Sequence, residues 1–226
     1  MPEIFFLGLG GVARSGKDTF FKILKSLLED ESLSVVRISF ADQLKKEFKD
    51  FSIKEFNINP ISCKKKEKEL IRPLLVEFGK AKRKITNGRY WIEKLDNKIQ
   101  NFSVTKKTLF VITDVRFNCY DKDEVDWVKT EKNGAIAHIS QYEEFHFKNR
   151  ISKTQTGSVK IYIHPANEEE KKNDPMVKKN ANYIIEWPKL GCSDQELFDN
   201  LKTYVDQFIF TFKKDQPSFF SKKNLT

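Results

Sequence analysis

Residues 11–19 read Gly-Val-Ala-Arg-Ser-Gly-Lys-Asp-Thr, and this stretch decides the fold. A largely apolar run, Glu3 to Leu9, precedes it and predicts a buried strand. Apolar residues at helical spacing follow it, from Phe20 to Leu28. The glycines let backbone amides turn inward around phosphate oxygens, the helix start favours anions, and Lys17 reaches the β- and γ-phosphates. The pattern G-x-x-x-x-G-K between a strand and a helix therefore predicts a loop that binds nucleotide phosphates.

The residues that would bind the metal ion differ here from the usual pattern of such a loop. Asp18 stands where Ser or Thr usually supplies a hydroxyl to Mg²⁺, so Asp18 itself, Thr19 or water must replace that hydroxyl. Asp114 follows another buried strand, and a carboxylate there could hold Mg²⁺ through water or could cap the next element. We therefore predict Asp18, Thr19 and Asp114 as metal ligands, with Arg116 projecting from the same edge.

The rest of the chain alternates strands with helices, which predicts an α/β fold with a parallel sheet of about five strands covered on both faces. Between the second and third strands, the pattern predicts an irregular Lys-rich segment and then a short helix from Arg72 to Phe78, ending at Gly79. Residues 140–180 show no clear periodicity. A capping box at Ser193 to Glu196 opens a final helix through Phe210. The predicted strands are Glu3–Leu9, Val35–Phe40, Leu109–Thr113, Ala135–Ile139 and Tyr183–Trp187.

The 226 residues carry a net charge of +9, which indicates an anionic partner. Residues 45–84 contribute +7, the tail 213–226 contributes +3, and the remainder sums to −1. The longest apolar run near the start has six residues, so we expect no membrane span or signal peptide and a cytoplasmic protein, in the host cytoplasm if it is viral. The spacing of three cysteines and three histidines supports neither a disulfide framework nor a zinc site.

Arginine is scarce, with 7 residues against 34 lysines. In a chain so rich in lysine, an arginine indicates a position that needs a planar, bidentate donor to phosphate or carboxylate. Arg14 lies in the phosphate loop, and Arg37 alternates within a strand, where a structural role is expected. The other five are Arg72, Arg83, Arg89, Arg116 and Arg150.

The ordered set of motifs resembles the deoxynucleoside monophosphate kinases of tailed bacteriophages. The motifs are the phosphate loop, F-A-D-Q-L-K from Phe40, I-R-P-L-L-V-E-F-G from Ile71, R-Y-W-I from Arg89 and I-T-D-V-R-F from Ile112. The resemblance implies a three-layer P-loop kinase fold like that of nucleoside monophosphate kinases, with an acceptor-binding arm and a lid. It implies one domain over residues 1–212, with the core at 1–44, 105–139 and 181–212, the arm at about 42–104, the lid at about 140–180, and then the basic tail.

The same resemblance implies an enzyme that transfers the γ-phosphoryl group of ATP to a deoxynucleoside 5′-monophosphate with Mg²⁺. ATP would bind Gly11, Val12, Ala13, Arg14, Ser15, Gly16, Lys17, Asp18 and Thr19. The acceptor would bind Asp42, Lys45, Arg72, Arg89 and Trp91. Lys17, Asp114 and Arg116 would form the catalytic centre, completed by Arg150 as the lid arginine.

Two departures separate the chain from that family. The motif D-V-R-F is followed by Asn118-Cys119-Tyr120-Asp121 instead of x-N-E, which leaves open where the next acidic contact lies. The Arg-Pro pair usual after the fourth strand is missing, and His164 and Glu168 are candidates for a family His…Glu pair.

Two other functions, and the choice of partners, stay open at this point. One is another small P-loop kinase, acting on phosphomevalonate or dephospho-coenzyme A. Another is a catalytically degenerate nucleotide-binding or assembly protein. The basic tail also leaves a nucleic-acid or protein partner open, and a homodimer is compatible with the sequence.

Overall fold

In the computed structural model of this chain, residues 2–148, 156–190 and 194–221 are described. The strands are β1 Ile4–Gly10, β2 Leu33–Ile38, β3 Lys107–Ile112, β4 Ala135–Lys148, β5 Thr156–Tyr162 and β6 Tyr183–Pro188. The helices are α1 Lys17–Leu28, α2 Phe40–Phe56, α3 Lys65–Ile85, α4 Arg89–Gln100, α5 Glu124–Asp126, α6 Glu168–Asn180, α7 Asp194–Asp215 and α8 Pro217–Phe220. Helix α5 continues as a π-helical turn, Trp127–Glu131. None of the helices in the described ranges is long and apolar enough to cross a membrane.

The central sheet confirms the predicted α/β fold. Five strands run parallel in the order β2-β3-β1-β4-β6, and all five were expected from the sequence. β5 pairs antiparallel with the outer half of β4, from Tyr142 to Lys148, so the complete sheet is mixed. Since β1 lies between β3 and β4, the loop that follows β1 opens at the middle of the carboxyl edge, where ligands of this sheet class bind.

The side chains of β1 point alternately to the two faces of the sheet. Leu7 and Leu9 are fully buried in one apolar cluster, which includes side chains of α1 and α7. Phe6 points to the other face, where its ring stacks on Phe110 and meets Trp127 edge-on. Successive side chains of a strand point to opposite faces, so the near-continuous apolar run of β1 fills both helical layers.

Helix α3 is longer than the sequence suggested. The expected helix from Arg72 to Phe78 is part of a 21-residue helix that passes through Pro73 and Gly79. Gly79 does not end the helix, because it marks a close contact: a Cβ there would lie 2.5 Å from Leu44 Cδ1 of α2. Trp91 also donates its indole N–H to the Gly79 carbonyl, 3.1 Å away. Tertiary packing therefore overrides the local stop signal.

Residues 140–180 contain regular structure that the sequence did not reveal. β4 continues to Lys148, β5 returns beside it, and α6 follows. Asn167 caps α6, since its side chain accepts the N–H of Glu170 at 2.9 Å. Helix α6 is rich in charged residues, and the strands leave apolar side chains such as Phe145, Val159 and Ile161 exposed, so the segment lacks the regular apolar periodicity by which buried strands and helices are recognised.

Helices α7 and α8 both contribute side chains to the apolar cluster on one face of the sheet. The final helix runs past Phe210 to Asp215, and Ser193 of the expected capping box lies outside the described residues. Phe219 of α8 is buried and packs against Phe5 and Phe220. The segment 213–221 therefore contributes to the core as well as carrying basic charge.

Candidate active site

The phosphate loop, residues 11–19, joins β1 to the first turn of α1. Gly11 and Gly16 both have positive φ, at 124° and 92°, a region that favours glycine. Their neighbours also leave no room for a side chain: a Cβ on Gly11 would collide with the Ile139 carbonyl, and one on Gly16 with the Trp187 ring. Trp187 donates its indole N–H to the Ser15 carbonyl at 2.9 Å. The two glycines thus allow the loop to lie against β4 and β6.

Lys17 places a buried positive charge inside this loop. Only 8% of the residue is exposed, and Nζ donates to the carbonyls of Gly11 at 2.6 Å and Val12 at 2.7 Å. Burial, followed by the charge of Arg116, lowers the pKa of Lys17 to about 8. Carbonyl oxygens carry only partial charge, so the ammonium group is ready for a stronger anionic partner such as a phosphate.

Glu170 of α6 reaches the same loop. Its carboxylate accepts the Ala13 N–H at 3.1 Å and the Ala166 N–H at 3.0 Å, and it pairs with Arg116 at 2.9 Å. Glu170 was not predicted from the sequence; Glu168 was, and its side chain is 89% exposed. The spacing Asn167-x-x-Glu170, a cap residue followed by an acid three positions later, is the signal that could have found it.

Asp114 lies at the carboxyl edge of the sheet, as predicted, but caps α2. Its oxygens accept the N–H groups of Phe40 at 3.0 Å and Ala41 at 2.8 Å, and the Ser39 hydroxyl at 2.9 Å. As an alternative to metal binding, the sequence suggested that Asp114 caps the element that follows it. Asp114 instead caps α2, which precedes it in the chain. A carboxylate offers about four acceptor positions, so three donors leave room for one further contact.

Glu124 supplies the acidic contact that the sequence left open after D-V-R-F. It accepts the backbone N–H groups of Arg116 at 2.7 Å and Phe117 at 3.2 Å, and it pairs with Arg83 at 3.2 Å. Arg83 also pairs with Asp123 and is itself buried. Burial raises the pKa of Glu124 to about 8, against the opposing charge of Arg83. Arg83 and Glu124 thereby fix the backbone that carries Arg116.

A cleft of about 480 Å³ opens beside the phosphate loop, between α3 and the segment before α6. We call it the α3 cleft. It brings together Arg14 of the phosphate loop and Arg72 of α3, two of the arginines singled out in the sequence. Arg72 is exposed, and Arg14 has a left-handed backbone with φ 70°. The remaining lining residues are Glu69, Pro73, Val76, Glu77, Ala166 and Asn167.

The other expected acceptor residues are placed elsewhere. Asp42 pairs with Arg37 at 2.7 Å, and Lys45 is half-buried on α2. Arg89 makes a bidentate contact with Glu131, with Nη2 at 3.1 Å from Oε2. Trp91 is 3% exposed and packs in the core. None of the four lines the α3 cleft in the described parts of the chain, and their role in acceptor binding stays a prediction. Arg150 lies outside the described residues.

The expected Mg²⁺ ligands do not form a preassembled cage. Asp18 is exposed and Thr19 half-buried at the start of α1, and Asp114 is engaged with α2. Among residues 2–148, 156–190 and 194–221, no group of three or more His, Cys, Asp or Glu side chains is arranged to hold a metal ion. These oxygen donors fit Mg²⁺, which commonly takes one or two carboxylates and fills its remaining positions with phosphate oxygens and water.

A second, smaller cavity of about 150 Å³ lies under α6, next to Val12. His138 of β4 is buried there, with Nε2 3.1 Å from Asp174 and Nδ1 3.3 Å from the Ser140 hydroxyl. No role for His138 was predicted from the sequence. Asp174 ties α6 to β4 through this contact, which seats the helix over the carboxyl edge of the sheet.

Comparison with known proteins assigns the family. The model of the phosphomevalonate kinase family matches residues 9–134, more than half of the chain. The chain belongs to the phosphomevalonate kinase family. No curated protein matches it significantly. Among solved structures, TT1252 from Thermus thermophilus shares 12% identity, with 95% of this chain and 98% of that chain covered and a TM-score of 0.43.

Membership of the phosphomevalonate kinase family confirms the coarser part of the prediction from the sequence. A kinase of small molecules is confirmed, whereas the resemblance to bacteriophage deoxynucleoside monophosphate kinases is confirmed only at the level of a P-loop kinase family. The matched region contains the phosphate loop, Arg72, Asp114 and Arg116, and it ends before β4. Glu170 and the cavity around His138 therefore lie beyond the part that the family model describes.

Proposed function

We propose that this protein transfers the γ-phosphoryl group of ATP to a small acceptor that already carries a phosphate. One observation carries the proposal: Arg14 belongs to the phosphate loop and also lines the α3 cleft with Arg72. The nucleotide loop and the cleft are thus contiguous, so two phosphate-bearing molecules can meet at their junction. Phosphoryl transfer depends mainly on positioning and charge neutralisation, which clustered cations supply.

Each side chain then has a defined task. The amides of the phosphate loop and Lys17 bind the ATP phosphates, Arg116 neutralises charge that develops on the transferred group, and Arg72 holds the acceptor phosphate. Asp18, Thr19 and Asp114 are the residues that would hold Mg²⁺. When bound, the ion supplies charge neutralisation between the β- and γ-phosphates.

Two acceptors are supported by different observations. The family points to phosphomevalonate, and the ordered motifs around Arg72 and Asp114 point to a deoxynucleoside monophosphate. The described lining of the α3 cleft has aliphatic Pro73 and Val76 and two carboxylates, but no aromatic ring on which a base could stack. Trp91 is buried in the core and donates to Gly79 instead. The cleft therefore favours an aliphatic, hydroxyl-bearing phosphate ester, and we rank phosphomevalonate first.

The test is an acceptor panel in a coupled assay of ADP release. Phosphomevalonate, dGMP, dTMP, dCMP and dephospho-coenzyme A would each be offered with ATP and Mg²⁺, with the Lys17→Ala protein as the matched blank. We expect ADP release with phosphomevalonate that disappears in the variant. Turnover with a deoxynucleoside monophosphate alone would assign the second acceptor.

A catalytically degenerate nucleotide-binding protein is the remaining alternative. The buried Lys17 and the α3 cleft with its two arginines favour an enzyme, because a protein that only binds nucleotide has no need of a second phosphate site. ATP binding by calorimetry without turnover on any member of the panel would favour the degenerate protein.

A further inference from the structure

We propose that Glu170 is an internal competitor of ATP, holding α6 on the phosphate loop until a nucleotide phosphate displaces it. The inference rests on the proposed binding of ATP to that loop. It adds a regulatory contact, since the carboxylate and the nucleotide would use the same donors.

The contacts of Glu170 are those of a bound anion. The residue is 8% exposed, and its carboxylate takes the Ala13 N–H, the Ala166 N–H and the Arg116 guanidinium within 2.9–3.1 Å. Two of these donors, Ala13 and Arg116, belong to the groups assigned to ATP. A carboxylate and a phosphate both satisfy loop amides and arginine through charged oxygens, so occupation by one excludes the other.

Other contacts also hold α6 against its neighbours. Glu169 pairs with Lys80 of α3 at 3.2 Å, and Asp174 contacts His138 of β4. Val177 packs over Gly10, where a Cβ would lie 2.7 Å from its methyl carbon. The Lys80–Glu169 pair is solvent-exposed and therefore weak. The buried Glu170 carboxylate is the contact that joins α6 directly to the phosphate loop.

The energetic consequence is a lower affinity for ATP. The nucleotide can use these donors only when Glu170 has left them. The apparent affinity for ATP is therefore the intrinsic affinity multiplied by the fraction of protein in which the Glu170 contact is open. Removing the charge of Glu170 weakens the internal contact with Arg116 and leaves the loop amides in place. ATP should then bind more tightly.

The decisive experiment measures the Kd of ATP by calorimetry, without acceptor, for wild type and Glu170→Gln. Glutamine keeps the shape and one acceptor oxygen, and the cap of α6 is retained because it is made by Asn167 and the backbone N–H of residue 170. Glu168→Gln is the matched control, because it removes the same charge from the exposed side of the same helix turn. We expect the Kd of the Glu170 variant to fall at least about fivefold, within the usual range of coupling between sites, and that of the control to stay unchanged.

A second measurement uses the wild-type protein alone and does not depend on the folding of a variant. Amide hydrogen exchange at Ala166 should become faster with ATP, because its acceptor is the displaced Glu170 carboxylate. Slower or unchanged exchange there, or an ATP Kd that is equal or higher in Glu170→Gln, would overturn the inference while the proposed function stands. If neither the wild type nor any folded variant binds ATP, both the inference and the proposed function are overturned.

Discussion

At the scale of single residues, nucleotide binding depends on a buried cation, Lys17, with weak internal partners. Within the described parts of the chain, Lys17 donates to loop carbonyls and to the Ser15 hydroxyl, and burial moves its pKa down to about 8. A buried charge without a strong counter-ion costs free energy in the folded state, and a phosphate that pairs with it recovers that cost. The same residue therefore couples stability and nucleotide binding to pH.

Activity and stability should respond to pH in opposite directions. The folded pKa of Lys17 lies below its unfolded value of 10.5, so folding disfavours its proton. Relative to Lys17→Met, the free energy of unfolding of wild type should rise by up to about 3 kcal/mol between pH 8 and 10.5. Over the same range kcat/KM for ATP should fall about tenfold per pH unit, because the neutral amine binds phosphate poorly.

The control for this pH dependence is Lys17→Arg, whose guanidinium keeps its charge above pH 10. Its kcat/KM, whatever its absolute value, should stay flat across the range. A flat wild-type profile from pH 7 to 10 would contradict the role given to the Lys17 charge.

Arg72 tests the acceptor side of the site. Arg72→Ala should raise the KM of the acceptor about 10- to 100-fold, since charge-assisted hydrogen bonds contribute about 1.5–3 kcal/mol. The KM of ATP should change little. Lys66→Ala, which removes an exposed positive charge from the same helix, is the control. An unchanged acceptor KM in the Arg72 variant would remove Arg72 from the acceptor site.

At the scale of elements, the loop after β3 organises the helices around the site. Asp114 holds the start of α2 through three hydrogen bonds, and Glu124 with Arg83 ties the same loop to α3. The walls of the site are therefore positioned by buried carboxylates, and Asp114 keeps one acceptor position free for a ligand.

Asp114→Asn should destabilise the protein by about 1–3 kcal/mol, because the amide nitrogen cannot accept from the donors at the start of α2. Denaturant unfolding measures the change, and Asp50→Asn, at an exposed position of α2, is the control. Equal stability of the two variants would show that the cap contributes nothing.

The elements also show what a sequence can and cannot predict here. The phosphate loop and the five parallel strands follow from local patterns, namely fixed glycine positions and continuous apolar runs. The passage of α3 through Gly79 could not be predicted, because the reason is a contact with Leu44, distant in sequence. Glu170 was missed for a similar cause: its partners Ala13 and Arg116 are 157 and 54 residues away.

At the scale of the whole molecule, the excess positive charge lies mainly on elements beside the site, and the cleft lining takes Arg72 from the basic residues of α3, together with Glu69 and Glu77. Residues 45–84, which carry +7, form α2, α3 and their connection, and α3 lines the cleft beside Arg14. Part of that charge is used internally, since Arg83 pairs with Asp123 and Glu124, and Lys80 with Glu169. Arg72 remains available at the cleft.

The most direct test of the central claim follows the γ-phosphoryl group itself. ATP labelled in the γ-phosphate would be incubated with the wild-type protein, Mg²⁺ and each acceptor of the panel, and the products separated. We predict that the label appears in a diphosphate product of one phosphate ester, phosphomevalonate first, and that Lys17→Ala abolishes the transfer while remaining folded. Label that stays in ATP or passes only to inorganic phosphate with every acceptor would contradict the account.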